Sequence, residues 1–459
     1  MSKIIPSNND TTNITYQPLL DTESSVMFFL SEPAISTISF FKGDVDLNES
    51  KRWLKDRLTT ICQANPWLLG RLVRNKKTHK NVLLKIPQPL AEADVDALIY
   101  VETDNNLSGI SSQSPYESIV DTLHKSKAVV GPGYKLVNKG DLRVSKFTLA
   151  KVADGEVALV VSITHAVADG HTYYKIMSML STGDVEELSA TRKHDFIPKS
   201  MEAIGKKEGS YLQSFSFMLC CIKSMLSGPR ATLEARYIDQ GKVEELKATV
   251  NSGECFVSTN DILTSSFRKS TNADLTLMAI NLRGRVEDIN DEDAGNYSLV
   301  VLHDKESAAT PSSARQLLSN GPPFTQKNNS LPGFFKVRKI EVCAYYDMLI
   351  TLTHDLPLFS PLSKTITSTK VSMITSWAFP QWKADMTLPS TTSGESIPLE
   401  LHLPIPYHPK EVAFPVAVVF RPSAGKLGIL YGGKDISLNT RMLEAAPLGE
   451  KISSSMFPG

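Results

Sequence analysis

Hydrophobic residues in the first 180 positions alternate between a helical period and the continuous apolar runs of buried strands. The pattern predicts a helix over residues 49–63, extended segments over 67–73 and 81–86, strands over 143–150 and 156–164, and a helix over 170–180. The run over residues 157–163 is apolar on both faces, so we expect it to lie deep inside a sheet. Alternation of this kind predicts a mixed α/β domain.

The pattern changes between residues 183 and 235. This stretch is mostly polar, and its one apolar segment, residues 211–226, is shorter than the ~20 apolar residues that span a bilayer, so we interpret it as an amphipathic helix. Afterwards the pattern predicts helices over 244–250 and 258–269, and strands over 275–282, 337–343, 370–376, 416–421 and 427–431. The chain is thereby divided into an N-terminal domain (residues 1–182), a crossover (183–235) and a C-terminal domain (236–459).

Length and composition agree with two soluble domains. The 459 residues exceed one ordinary core, since a domain commonly holds about 150 residues. Forty-nine Lys plus Arg balance forty-nine Asp plus Glu, so no global field attracts nucleic acid or an anionic membrane. The five cysteines form neither a CxxC pair nor a metal-ligand spacing, and the N-terminus lacks the features of a signal or transit peptide. These features predict a cytoplasmic protein with reduced thiols, no transmembrane segment and no metal.

Residues 162–170 contain the strongest candidate chemistry. The predicted buried strand ends just before His165, and Asp169-Gly170 opens the following helix. An imidazole at the edge of a rigid sheet suits a general base, because imidazole accepts a proton near neutral pH. Asp169 would cap the helix or pair with a cation, and Gly170 permits a crowded backbone. The residues alone leave open that His165 is an ordinary loop histidine.

Several further segments occur along the chain in a fixed order around His165–Gly170. They are residues 19–21, 64–72, 245–247 and 257–263, the Arg-Gly-Arg of 283–285 followed by Gly295-Asn296, and Thr375-Ser376-Trp377 followed by Asp385. Together with His-x-x-x-Asp-Gly, this order resembles the BAHD acyltransferases of the chloramphenicol acetyltransferase-like superfamily over most of the chain. The family motif Asp-Phe-Gly-Trp-Gly is here Asp-Met-Thr-Leu-Pro over residues 385–389, so the resemblance is to a divergent member.

The resemblance implies two chloramphenicol acetyltransferase-like domains, each a mixed β-sheet with helices, and transfer of an acyl group from acyl-CoA to a hydroxyl or amine of a small molecule. It implies no tightly bound cofactor, and we expect a monomer. His165 would be the general base, with Gly170 beside it. Asp169 would point away from the chemistry and pair with an arginine, Arg283 as first choice and Arg285 as second.

The resemblance also assigns residues outside the histidine motif. Thr375 and Trp377 would donate hydrogen bonds to the oxyanion, since an indole N–H only donates, although a core aromatic at Trp377 remains an alternative. Asp385 would be a structural support. Ser258 and Thr259 are candidates for lining the coenzyme A side, and basic residues of the crossover are candidates for its phosphates. Neither the acceptor nor the acyl chain can be inferred.

Two other functions and several weaker sites remain as alternatives. A carrier-protein-dependent condensation enzyme of the same fold often has a second histidine where this chain has Thr164, and a non-catalytic binding homologue would be expected to have lost His165 or Gly170. We expect His171 to face solvent or the helix rather than to bind a metal. The acidic residues 287–293 lack the pattern of a calcium loop, and the chain has no Gly-x-Ser-x-Gly nucleophile elbow.

Overall fold

A computed structural model describes residues 13–452 of the protein, with gaps at 26–28, 77–80, 89, 103–105, 182, 215–216, 218–219, 222, 225–227, 251–255, 326–330, 332–368, 393 and 406–411. Within these residues the chain forms three β-sheets with helices packed on them. The strand predicted over 337–343 lies outside the described residues, and so does about half of the predicted helix over 211–226. None of the described helices combines the length and the hydrophobicity needed to cross a membrane.

The elements follow one another along the chain as sixteen described strands and eleven described α-helices. The strands are β1 Asn13–Pro18, β2 Ile35–Lys42, β3 Arg71–Arg74, β4 Val82–Gln88, β5 Ile99–Glu102, β6 Ser145–Ala153, β7 Glu156–Ile163, β8 Thr232–Ile238, β9 Leu275–Asn281, β10 Ser298–Asp304, β11 Val371–Ser376, β12 Thr387–Pro389, β13 Ser396–Pro404, β14 Val416–Phe420, β15 Gly428–Gly433 and β16 Leu448–Lys451. The helices are α1 Leu47–Ala64, α2 Glu92–Asp96, α3 Tyr116–Lys125, α4 Gly133–Lys139, α5 Gly170–Leu180, α6 Phe196–Ile204, α7 Lys206–Leu212, α8 Gln240–Val250, α9 Thr259–Thr271, α10 Pro311–Ser319 and α11 Leu438–Ala445.

Most of the elements predicted from periodicity are confirmed, including α1, the β6–β7 hairpin, α5 and β9. The extended segment predicted over 67–73 is wrong in its first half. Pro66–Leu69 form a 3₁₀ turn, closed by a hydrogen bond from the Gly70 N–H to the Trp67 carbonyl at 3.0 Å. Pro66 favours this turn because its fixed φ angle matches the first position of a helix. The strand β3 begins only at Arg71.

Strand β7 lies inside the six-stranded sheet, as predicted. The strand order is β12-β13-β2-β7-β6-β5, so β7 pairs on one side with β2 and on the other with β6. All eight residues of β7 are buried, so both faces of the sheet are covered along this strand. The end of this rigid strand is therefore a fixed point from which the following loop projects.

The six-stranded sheet contains strands from both ends of the chain. β13 pairs antiparallel with β2, placing Leu403 opposite Ile38, and β12 extends the same edge. β8 begins at Thr232, inside the predicted crossover, and pairs with β15 of the other large sheet. The predicted domain boundaries at 182 and 235 stay a prediction. They place residues 387–404 in the C-terminal domain, although these residues contribute β12 and β13 to the six-stranded sheet. The local sequence pattern indicates that a segment is a strand. Which strand it pairs with depends on apolar faces formed by residues far away in the sequence.

The seven-stranded sheet has the order β10-β9-β11-β14-β15-β8-β16, with β11 parallel to both β9 and β14. Successive residues of β14 point to opposite faces. Val416 and Val418 belong to the same hydrophobic core as the six-stranded sheet, whereas Ala417 and Val419 belong to a second core on the other face. The two large sheets are thus joined through a shared core, with β1-β4-β3 forming the third, small sheet.

Ile38 offers a test of this shared architecture, since it is fully buried and lies between Val160 of β7 and Leu403 of β13. Ile38→Ala should lower the free energy of unfolding by about 2–5 kcal/mol, because buried methyl groups are removed and a cavity remains. Urea unfolding measures the loss. Ile14→Ala is the matched control, since Ile14 is 39% exposed on β1. Equal losses in the two variants would contradict the position of β2 in the core.

Candidate active site

The loop that carries His165 connects the end of β7 at Ile163 to the start of α5 at Gly170. Its backbone is fixed at the first residue, where the Thr164 N–H donates to the Val144 carbonyl at 2.8 Å, and turns where the Val167 N–H donates back to the Thr164 carbonyl at 3.1 Å. Asp169 caps α5, accepting a hydrogen bond from the Thr172 N–H at 3.0 Å. A short, internally bonded turn therefore places His165 directly beyond the central strand.

Asp169 forms a buried ion pair with Arg283. The Arg283 Nη1 donates to Asp169 Oδ2 at 2.7 Å and Nη2 donates to Oδ1 at 3.3 Å, and the two side chains are only 1% and 2% exposed. The carboxylate also accepts from the Tyr297 N–H at 3.1 Å. Of the two arginines expected as partners, the structure brings Arg283 to Asp169. Arg285 is exposed and lies near the Phe324 ring, 6.0 Å from its centroid.

The charge on Asp169 is stabilised by its neighbours. Burial on its own would raise the pKa of Asp169, but the Arg283 guanidinium, together with His171 and the Thr172 N–H, lowers that pKa below its usual value. The carboxylate is therefore ionised at neutral pH and fully engaged away from the His165 ring. Its contacts lie with Arg283 and with backbone N–H groups, and the supporting role that the sequence resemblance implies for Asp169 stays a prediction.

Arg283 ties the loop to a second segment, residues 293–297. Its Nε and Nη2 donate to the Asp293 carbonyl at 2.9 and 2.8 Å, and Nη2 also donates to the Gly295 carbonyl at 3.0 Å. The Asp169 N–H donates to that same Gly295 carbonyl at 3.2 Å. This segment follows β9 and precedes β10, so the ion pair joins the six-stranded sheet to the seven-stranded sheet.

His165 is half-buried and is held by residues from both sides. Its Nδ1 lies 3.0 Å from the Asn296 Oδ1, and its backbone carbonyl accepts from the Asn296 Nδ2 at 2.7 Å. The imidazole stacks on the Phe29 ring, with centroids 4.9 Å apart and planes at 21°. Among the described residues no hydrogen bond to His165 Nε2 is found. The ring is thus oriented through Nδ1, and Nε2 is the nitrogen available for chemistry.

Trp377 lies against the other end of the loop. It follows β11, and its backbone N–H donates to the Val419 carbonyl at 2.7 Å. A Cβ atom added to Gly170 would lie 3.5 Å from the indole Cδ1 and 3.3 Å from the Phe379 ring, so the glycine allows α5 to begin in close contact with these rings. Trp377 is buried, and Thr375, two residues earlier on β11, is partly exposed. The structure therefore places Trp377 next to the motif loop, the His165-containing loop between Ile163 and Gly170, where this loop meets α5.

The remaining predicted residues lie farther along the elements. Asp385 is exposed and accepts a hydrogen bond from the Ser181 hydroxyl at 2.7 Å, at the end of α5 opposite to Gly170. Ser258 caps α9, and its hydroxyl donates to the Asp261 carboxylate at 2.6 Å. Thr259 is the first residue of that helix. Asp385 thus contacts α5 and not the His165 ring, whereas a coenzyme A role for Ser258 and Thr259 stays a prediction.

Of the two alternatives expected for His171, solvent or the helix, the structure excludes solvent. The side chain is buried, its Nε2 lies 3.3 Å from the Asp291 carbonyl, and burial lowers its pKa. It is covered because the acidic segment near Asp291 folds over α5. Arg192, one of the basic residues of the crossover, is buried as well, and its Nε donates to Glu23 at 2.7 Å. Since its guanidinium is already paired, Arg192 is excluded from binding coenzyme A phosphates.

Three residues near His165 were missed from the sequence: Glu23, Phe29 and the side chain of Asn296. Asn296 was visible only as part of a resembling Gly-Asn element. Glu23 comes two residues after the Leu19–Asp21 segment, yet an isolated acidic residue in a polar stretch carries no signal of burial. Its buried state depends on Arg192, which is remote in sequence.

Known proteins resemble this chain in structure and not in sequence. No protein-family profile matches the chain, and no curated protein matches it by sequence. Among solved structures, F. graminearum TRI101 complexed with coenzyme A and T-2 mycotoxin is 15% identical with a TM-score of 0.59, covering 96% of this chain and 100% of that chain. TRI3 trichothecene 15-O-acetyltransferase from Fusarium sporotrichioides is 10% identical with a TM-score of 0.57, covering 94% of each chain.

A third solved structure, the first condensation domain of the calcium-dependent antibiotic synthetase, is 13% identical with a TM-score of 0.52, covering 96% of this chain and 98% of that chain. Likeness at these identities shows the fold and not the activity. The predicted fold class is confirmed: the chain is a mixed α/β protein of the two-domain chloramphenicol acetyltransferase-like fold.

The buried ion pair predicts a large effect of a small change. Asp169→Asn keeps the shape of the side chain but leaves the Arg283 charge without its partner, so the free energy of unfolding should fall by about 3–5 kcal/mol. Asp195→Asn is the matched control, because Asp195 forms an exposed i,i+4 pair with Lys199 at 2.8 Å, and exposed pairs contribute about 0–1 kcal/mol. Chemical denaturation measures both. An unchanged melting temperature with abolished activity in Asp169→Asn would instead assign Asp169 a direct chemical role.

The same pair predicts a pH dependence of stability. The pKa of Asp169 is lowered in the folded protein, so its stabilising contribution is complete above the unfolded-state value of about 3.9 and is lost as the pH falls through the folded-state value. The stability difference between wild type and Asp169→Asn should therefore be constant near neutral pH and shrink below about pH 4. Denaturation curves across this range measure it, and a difference that grows with acidity would contradict the ionised pair.

Proposed function

We propose that this chain transfers an acyl group from acyl-CoA to a hydroxyl or amine of a small-molecule acceptor, with His165 as the general base. The observation that carries the proposal is the state of His165. Its ring is fixed by Asn296 at Nδ1 and by stacking on Phe29, it is half-buried, and the described contacts leave Nε2 unengaged. A preoriented imidazole with one available nitrogen suits proton abstraction from an acceptor.

The proposed reaction needs one base and no covalent enzyme intermediate. His165 Nε2 accepts the acceptor's proton while the acceptor oxygen or nitrogen forms a bond to the thioester carbonyl carbon, giving a tetrahedral oxyanion. Collapse of this intermediate breaks the C–S bond, and the imidazolium returns the proton to the departing thiolate. The products are the acylated acceptor and free coenzyme A, so no oxidant, reductant or metal enters the balance.

The oxyanion requires a hydrogen-bond donor, because His165 acts on the acceptor proton. Trp377 is the proposed donor, because its indole lies next to the start of α5 at Gly170 and none of the described hydrogen bonds engages the indole N–H. Thr375 is the second candidate, since it is partly exposed two residues earlier on β11. Support for these two roles comes from their position beside the motif and from the sequence resemblance.

The solved structures support acyl-CoA as the donor. TRI101 was solved with coenzyme A and a mycotoxin, and TRI3 is described as a 15-O-acetyltransferase. These descriptions belong to proteins of 10–15% identity, so the acceptor of this chain is proposed only as a small molecule. O-acylation is the proposed form, because TRI3 is described as an O-acetyltransferase.

The second candidate function takes the acyl group from a carrier protein. A condensation domain shares the fold, but the position where such enzymes often have another histidine is Thr164. This side chain is fully buried, and its hydroxyl has no hydrogen-bond partner in the described part of the chain. A residue facing the core at that position favours free acyl-CoA over the condensation reaction.

A panel of acyl-CoA thioesters tested against mixed alcohol and amine acceptors separates these functions. Free thiol is detected as it is released. The proposal expects thiol release that depends on the acceptor. Release from acyl-loaded carrier proteins alone would establish the second candidate, and no release from either donor would support a non-catalytic binding homologue.

Loss of the base is expected to affect turnover more than binding. His165→Ala should lower kcat by about 10²–10⁴-fold and leave acyl-CoA binding largely unchanged, because the imidazole acts on the acceptor proton. Initial rates and calorimetric coenzyme A binding give the two quantities. His124→Ala is the matched control, since His124 is exposed in the last turn of α3. Wild-type turnover in His165→Ala would remove this histidine from the mechanism.

Trp377→Phe distinguishes an oxyanion donor from a packing residue. The change removes the indole N–H and keeps most of the apolar ring, so kcat should fall by about 10²–10³-fold with little change in substrate binding. The melting temperature should stay nearly constant. Thr375→Val should act in the same direction, and the double variant should be less than additive. Full activity in Trp377→Phe would show that the indole only packs and that another donor holds the oxyanion.

A further inference from the structure

Behind His165 lies a buried polar network, of which the proposed reaction has used only the Asn296 contact. It consists of Asn296, Glu23 and Arg192, and all three side chains are buried. We propose that Asn296, held by the Glu23–Arg192 ion pair, is a positioning residue that selects the Nδ1-protonated tautomer of His165. The tautomer selection stands on the geometry alone, whereas its effect on turnover rests on the proposed function.

The direction of the Asn296 amide is fixed by its neighbours. Its Nδ2 lies 2.7 Å from the His165 backbone carbonyl and 3.1 Å from the Glu23 Oε1. Both of these atoms are acceptors, so the NH₂ group has to point toward them. The opposite assignment would bring the amide oxygen against two other oxygens. Asn296 Oδ1 therefore faces His165 Nδ1, 3.0 Å away.

An amide oxygen only accepts hydrogen bonds, so the proton of neutral His165 has to be on Nδ1. The lone pair is then on Nε2, the nitrogen that the general-base role requires. Free histidine favours the opposite tautomer, with the proton on Nε2, which cannot accept the acceptor's proton at that atom. The Asn296 contact thus determines what fraction of His165 is competent as a base.

Glu23 is bound so that it can act only as an acceptor. Its Oε1 receives the Asn296 N–H at 2.9 Å as well as Nδ2, and its Oε2 receives the Leu20 N–H at 3.0 Å and the Arg192 Nε at 2.7 Å. These four donors occupy both oxygens of the carboxylate. A glutamine at this site would place its NH₂ against two N–H groups in either orientation, so the network specifies a carboxylate.

Arg192 connects this carboxylate to the loop that carries the histidine. Its Nη2 donates to the Val167 carbonyl at 3.0 Å, and its Nη1 donates to the Ala294 carbonyl at 2.7 Å. Gly295 has a φ angle of +132°, and a Cβ atom there would lie 2.9 Å from the Arg192 Cζ. The glycine thus lets the guanidinium pack against the backbone next to Asn296. Both partners of the Asn296–His165 contact are therefore fixed by one ion pair.

Nitrogen NMR of protein labelled with ¹⁵N-histidine tests the tautomer directly, without substrate. Wild type should show His165 protonated at Nδ1 in its neutral form, with the His165→Gln spectrum identifying the signal. Asn296→Ala should convert His165 to a mixture with the Nε2-protonated form. A wild-type signal from the Nε2-protonated tautomer, or an Asn296→Ala spectrum identical to wild type, would overturn the proposal whether or not the protein transfers acyl groups.

Steady-state kinetics then measures the consequence for the proposed reaction. Asn296→Ala and Glu23→Gln should each lower kcat by about 10–100-fold, as expected for partners that set a histidine's tautomer, while the KM for acyl-CoA stays the same. Glu23→Gln with wild-type kcat and tautomer would overturn the part assigned to Glu23. If either variant fails to fold, the wild-type tautomer still decides the proposal.

Asp94→Asn is the matched control. Asp94 pairs with Arg143 at 2.6 Å, and these side chains are 21% and 10% exposed. It is a largely buried ion pair outside the network. Its loss should lower the free energy of unfolding without changing the His165 tautomer, kcat or the KM for acyl-CoA. A tautomer change in Asp94→Asn would show that general destabilisation produces the signal and would overturn the specific role of Asn296.

Discussion

The buried pair of Asp169 and Arg283 is the constraint on which the site depends. Two charges removed from water are stable only if nearly all of their hydrogen-bonding capacity is used. Here the carboxylate accepts from Arg283, Thr172 and Tyr297, and the guanidinium donates onward to the carbonyls of residues 293 and 295. Replacing any one contact would leave a buried group unsatisfied. The pair therefore allows a single arrangement of the motif loop and the 293–297 segment. This arrangement sets the position of His165, although neither charge contacts its ring.

This arrangement also explains why the site forms between the two large sheets. The motif loop extends from β7 of the six-stranded sheet, whereas residues 293–297 lead into β10 and Trp377 follows β11, both in the seven-stranded sheet. Residues of β14 pack in the same core as the first sheet, so the sheets are held together by apolar burial as well as by the ion pair. Polar contacts set the geometry at the site, and the shared core stops the sheets from shifting against each other.

Local features of this site could be predicted from the sequence, and long-range ones could not. The buried β7, the start of α5 at Gly170 and the capping role of Asp169 follow from hydrophobic period and residue chemistry over a few positions. The pairing of β13 with β2 depends on which apolar faces meet, which periodicity does not encode. The burial of Arg192 could not be predicted for the same reason: it lies near other basic residues of the crossover, and only Glu23, 169 positions away, explains its burial.

Two ion pairs hold the loop, and neither places a charge directly on the imidazole. In a serine protease triad the carboxylate contacts the histidine and stabilises the imidazolium. In this chain the group at Nδ1 is the neutral Asn296 amide, and the Glu23 charge lies one hydrogen bond farther away, paired with Arg192. A neutral acceptor fixes the tautomer and the ring plane of the imidazole without placing a charge beside it. In the proposed reaction the same nitrogen takes a proton from the acceptor and returns it to the thiolate, and the charges that hold the loop stay outside this proton transfer.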